Sequence, residues 1–166
     1  MLLWIVGPLA AVVVVVVGIG ALLPVRHTAT VERVIAASPD TVYARVSHPE
    51  DFPSWRSGIT RVEVLTVPGG PVRYREVAGR DAITYEVELA EPAVRYRTRI
   101  ADSGLPFGGA WTWELASDPA GTRVRVTEDG EVYNPLFRFV SRFMMGHTAT
   151  MERYLADLST AVARPR

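Results

Sequence analysis

Glu76 is the carboxylate in this chain best placed to do chemistry. It stands in Val72-Arg-Tyr-Arg-Glu-Val-Ala78, a run with strand alternation that ends at Gly79-Arg80. A two-residue turn there sets Tyr74 opposite Tyr85, Arg73 opposite Glu86 and Glu76 opposite Ile83. That register puts a carboxylate on an otherwise apolar, aromatic face. A buried carboxylate has a raised pKa or a partner. With Tyr74, Tyr85 and Tyr96 it could form an acid–base set. A second candidate is Arg33 with Glu128, which share the inward parity of Ile35 and Val126 and could form an inner ion pair between the first and last strands.

Other chemistries find no residues to carry them. There is no cysteine, and the three histidines, His27, His48 and His147, are too scattered for a metal triad or a Ser-His-Asp arrangement. Neither a metal nor a cofactor is expected. The 18 basic residues, all arginine, balance 18 acids. That balance argues against a nucleic-acid binder, which needs a basic surplus.

The elements that would hold these residues follow from turn signals. A β-rich run covers residues 28–37, and Ser38-Pro39 caps a helix. A short second helix is expected over 50–57. Six strands follow, at about 60–66, 72–78, 82–90, 94–101, 110–116 and 123–131. A two-residue turn at Glu91-Pro92 would set Glu88 against Arg95 and Glu86 against Arg97. A four-residue turn at Asp118–Gly121 sets Glu114 against Arg125 and Trp113 against Val126. Asn134-Pro135 then caps one long closing helix running to about Ala163, with Phe137, Val140, Met144, Met151, Leu155, Leu158 and Val162 at helical spacing.

The registers sort the residues onto two faces. The outer face is charged, with arginines opposite acids, and reads as a solvated face with weak cross-strand pairs. The inner face carries Tyr74, Glu76, Tyr85, Tyr96, Thr98, Trp111 and Trp113. A purely structural sheet-on-helix core favours Val, Ile and Leu. An aromatic face with polar handles suits a cavity for a mostly apolar ligand. Trp55, Phe137 and Met144 complete the expected ligand-binding set. The apolar loop Gly104-Leu-Pro-Phe-Gly-Gly109, with Leu105 and Phe107, is expected at the mouth.

The first 25 residues carry no charge. A run of this length suits a membrane-spanning helix of about 20 residues. Its lack of basic residues speaks against a cleaved signal. The expected organisation is an anchor over 1–25 and a ligand-binding domain over 26–166. Arg26 and Arg33, on the far side of the span, place that domain in the cytoplasm, as a single-pass membrane protein.

Val34-Ile-Ala-Ala-Ser-Pro-Asp-Thr-Val-Tyr43 and His48-Pro-Glu-Asp-Phe-Pro-Ser-Trp55 carry a family resemblance. Glu91-Pro92, Gly121-Thr122 and the terminal helix add to it. The chain resembles the START-like (SRPBCC) superfamily, the polyketide cyclase/dehydrase and lipid-transport group. His48 stands where many members carry aspartate. The resemblance implies an α+β helix-grip fold: a curved antiparallel sheet of about seven strands wrapped on a long C-terminal helix, with an elongated cavity between them. It implies a hydrophobic ligand such as a lipid, a quinone or a polyketide-like molecule. Fold alone does not choose between binding, cyclase/dehydratase catalysis and a non-catalytic structural role. The inner face favours binding.

Overall fold

Local signals set the element boundaries in the computed structural model, which describes residues 2–163, the side chains of residues 2–10 and 145 excepted. Helix α1 covers Leu2–Leu22 and strand β1 covers Arg26–Ile35. Ser38 Oγ accepts from Thr41 N at 3.3 Å, and Pro39 opens helix α2, Pro39–Ser47. The second short helix is a 3₁₀ turn over Pro49–Ser54. Strands β2 (Arg61–Val64), β3 (Arg73–Ala78), β4 (Asp81–Glu91), β5 (Arg95–Ile100), β6 (Phe107–Asp118) and β7 (Gly121–Val132) follow.

The seven strands form one antiparallel sheet in the order β1-β7-β6-β5-β4-β3-β2. The β3–β4 register pairs Tyr74 with Tyr85 and Glu76 with Ile83, and the β6–β7 register pairs Trp113 with Val126, all as the turns predict. The β4–β5 hairpin differs. Glu91 pairs with Arg95 and Glu86 with Arg99, and a bulge falls between Val87 and Leu89. The turn is Pro92-Ala93-Val94, closed by Val94 N donating to Glu91 O, with Ala93 at φ 59°. The longer turn and the bulge shift the register, yet Glu88 still takes Arg97 Nε at 2.8 Å and Arg99 Nε at 2.5 Å on the outer face.

The closing helix is not one helix. Asn134 Oδ1 caps α3, Pro135–Val140, and a π turn covers Ser141–Met145. Gly146, at φ 71°, breaks the rod before α4, Ala149–Ala163. Only α4 carries the core. Its Met151, Leu155 and Leu158 are fully buried against Ile35, Val42, Val46, Val124 and Val126. Val162 packs at the edge of that cluster. Phe137 and Met144, upstream of the break, are 50% and 76% exposed.

The N-terminal expectation is also corrected. Among the described residues no helix is long and apolar enough to cross a membrane. The single-pass membrane location, the cytoplasmic facing and the membrane partnership through this helix fall with it. The end of α1 docks instead on α3. A Cβ at Gly20 would collide with Pro135 O, and Arg138 Nη1 donates to Leu23 O at 2.7 Å.

Candidate functional site

Between the inner face of the sheet and α4 lies a chamber of about 120 Å³. Tyr74, Glu76, Tyr85, Thr98, Trp111 and Trp113 line it from the sheet, and Phe52, Arg56 and Tyr154 from the helical side. It shares Tyr85, Ile100, Gly108, Glu128 and Thr150 with a larger mouth of about 450 Å³. Pro106 and Phe107 form one lip of that mouth, and Phe137, Val140 and Gly146 the other.

Sequence reasoning missed Phe52, Tyr154 and, above all, Arg56 on the helical side of the chamber. Arg56 lies two residues past the 3₁₀ turn, after Trp55, and Asp157 Oδ2 fastens the next residue by accepting from both Ser57 N and Ser57 Oγ at 2.7 Å. Arg56 Nη1 donates to Glu76 Oε1 inside the chamber. Its guanidinium lies 4.8 Å from the Phe52 ring centroid and 5.0 Å from that of Tyr154. No periodicity marks this arginine, because its direction comes from the bend after a short helix rather than from a strand or helix face.

Burial pushes the Glu76 carboxyl above the usual carboxylate range, and Arg56 offsets part of that rise. Burial also raises the hydroxyls of Tyr74, Tyr85, Tyr96 and Tyr154, so all four stay protonated near neutral pH. Trp113 Nε1 and Tyr154 Oη, on two chamber-lining residues, are buried with no hydrogen-bond partner among the described residues. Leaving such groups unpaired costs about 1–3 kcal/mol each.

The remaining expected residues fall in three places. Tyr96 and Trp55 pack behind the wall: Tyr96 edge-on to Tyr43, and Trp55 edge-on to Phe52 and Tyr154. Phe137 and Phe107 reach the mouth, and Leu105 sits half-buried beside it. Met144 points outward, because it lies upstream of the break at Gly146 and lines neither cavity.

The Arg33–Glu128 pair is not made. Arg33 stands opposite Val124, whereas Glu128 stands opposite Ala29, four residues along the ladder or about 13 Å. Arg33 is exposed at the edge strand. Glu128 instead lies 3.6 Å from His27 Nε2 and accepts from the Trp111 indole. Burial raises its carboxyl, with Trp111 and His147 pulling it back. His27 stacks on His147, ring centroids 3.9 Å apart, and His147 Nδ1 lies 3.2 Å from Ser141 Oγ. Among the described residues no group of three or more His, Cys, Asp or Glu could hold a metal ion.

Comparison with known proteins places this architecture. Among solved structures, the fold matches TTHA0849 from Thermus thermophilus with 25% identity and a TM-score of 0.66, over 82% of this chain and 97% of that one. It matches a START superfamily protein from Mycobacterium smegmatis with 21% identity and a TM-score of 0.63, over 83% and 97%. It matches the Zhui aromatase/cyclase from a Streptomyces species with 14% identity and a TM-score of 0.65, over 84% and 94%. No curated protein matches the chain. The family model described as polyketide cyclase / dehydrase and lipid transport matches residues 26–163, and the chain belongs to that family.

Proposed function

We propose that residues 26–166 bind one hydrophobic small molecule, a lipid, isoprenoid quinone or polyketide-like compound, with its leading end in the chamber and the rest in the mouth. The observation that carries this reading is the adjacency of the two cavities, which share Tyr85, Ile100, Gly108, Glu128 and Thr150 as wall residues. The chamber takes a ring-sized apolar group. Tyr154 and Trp113 offer it hydrogen bonds that the protein leaves unmade. A purely structural domain would pack this face shut.

The test is extraction of the purified chain with organic solvent, mass spectrometry of the extract, and titration with the neutral dye N-phenyl-1-naphthylamine. A copurifying amphiphile and saturable dye uptake are expected. A chain with no extractable amphiphile and no dye uptake would sink the reading.

A cyclase/dehydratase-type enzyme is favoured by one observation, the buried Glu76 carboxylate among protonated tyrosines. That reading requires turnover of a poly-β-ketone thioester that is lost in Glu76→Gln. Turnover that survives the substitution removes Glu76 from any such mechanism.

A further inference from the structure

Beside the mouth lies a second cavity of about 400 Å³ with a different character. Its charged wall residues are Arg26, Arg138 and Arg142, and no aspartate or glutamate lines it. Arg26 is held by Glu131 at 3.3 Å. Among the described residues neither Arg138 nor Arg142 is paired with an acid. Arg138 is instead held by neutral carbonyls, Leu23 O at 2.7 Å and Tyr133 O at 3.5 Å, so its charge is oriented but not neutralised. Its Nε is buried without a partner. This cavity shares His27, Val132, Ser141 and His147 with the mouth. The cationic cavity, the mouth and the inner chamber therefore adjoin in that order through shared wall residues.

We propose that Arg138 and Arg142, with Ser141 and Arg26, form a subsite for an anionic head group, a carboxylate or phosphate monoester, of an amphiphile whose apolar chain enters the mouth. This rests on the ligand-binding reading above and adds the ligand's charge and polarity. A buried guanidinium N–H without an acceptor is completed by an anionic oxygen, and charge-assisted hydrogen bonds of this kind are the strong ones. The two residues just past α1, Leu23 and Pro24, supply one wall. The docking of α1 on α3 thereby holds that wall in place.

Calorimetric titration of the full chain tests this with dodecyl phosphate, dodecyltrimethylammonium and inorganic phosphate, alongside the neutral dye. Dodecyl phosphate binds about ten-fold more tightly than the ammonium, and the gap narrows in about 0.5 M salt. Arg142→Gln narrows it too. The Arg142 side chain makes no hydrogen bond among the described residues, so this variant keeps the fold, and Arg138→Gln serves as the second variant. Equal binding of the two dodecyl probes, with the dye still taken up, overturns the head-group subsite and leaves the binding reading standing. Loss of dye uptake overturns the binding reading itself. Inorganic phosphate binding as tightly as dodecyl phosphate overturns the amphiphile and assigns the site to a free anion.

Discussion

Arg56 and Glu76 meet inside the domain from elements 20 residues apart, the guanidinium held between the rings of Phe52 and Tyr154. Removing one partner leaves the other charge buried. Arg56→Met is expected to cost about 3–5 kcal/mol, while Arg56→Met combined with Glu76→Leu recovers most of it. Urea unfolding of both variants decides the point. A double variant as unstable as the single one would mean that packing of the arginine stem, not its charge, matters here.

Asp157 is expected to position Arg56 without touching the chamber. It accepts twice from Ser57, one residue beyond Arg56. Asp157→Ala should destabilise by about 1–3 kcal/mol and weaken dye uptake, whereas Asp157→Asn keeps one acceptor and restores part of both. If the alanine variant melts early but binds dye with unchanged affinity, the clasp serves stability alone.

The stacked pair His27–His147 is expected to make the mouth sensitive to pH. Burial lowers both imidazoles below their ordinary value, His147 further through His27 and Arg142, with Glu128 acting against this. The unfolded chain then takes up protons before the folded one as pH falls. Stability is full above the ordinary pKa of about 6.5 and is lost as pH falls through it toward the folded values. Glu128, raised by burial, titrates with the opposite slope. Melting temperature should therefore fall from about pH 7.5 to 5.5, and the variant with both histidines changed to glutamine should lose that slope while keeping the Glu128 contribution. An unchanged slope in that variant assigns the pH response to other groups.

Gly109 is expected to tolerate no side chain. Its φ is 126°, and a Cβ there would collide with Asp129 O across the β6–β7 ladder. Gly109→Ala should cost about 1–3 kcal/mol. It should also reduce dye uptake, because Gly109 lines the chamber next to Gly108 at the neck. Stability and uptake both at the parent level would show that the strand shifts freely at this point.

The sheet is legible where turn chemistry is explicit. Gly79-Arg80 and Asp118–Gly121 set the Tyr74–Tyr85 and Trp113–Val126 pairs correctly. The Pro92–Val94 turn is not legible, because it depends on an alanine at positive φ and a bulge that no residue type announces. Gly146 does carry a signal, a lone glycine inside a helical pattern. The apolar spacing of Phe137, Val140 and Met144 outweighs it. Arg33 has the right parity, but parity does not give depth, and an edge strand leaves such a residue in water. Arg56 has no signal, since the bend after a 3₁₀ turn offers no periodic face. In the leading run, hydrophobicity alone reads as a span, while the packing of Gly20 on Pro135 depends on tertiary contact.

The break at Gly146 separates the scaffold from the doorway. The fully buried side chains of α4 tie its amide protons to global unfolding, whereas α3 and the π turn have no fully buried side chain among the described residues. Residues 135–146 can therefore open in a local fluctuation that leaves the rest of the molecule intact. A ligand can enter without the core coming apart, and hydrogen exchange over 135–146 should be fast in the free protein and slowed by whatever fills the mouth.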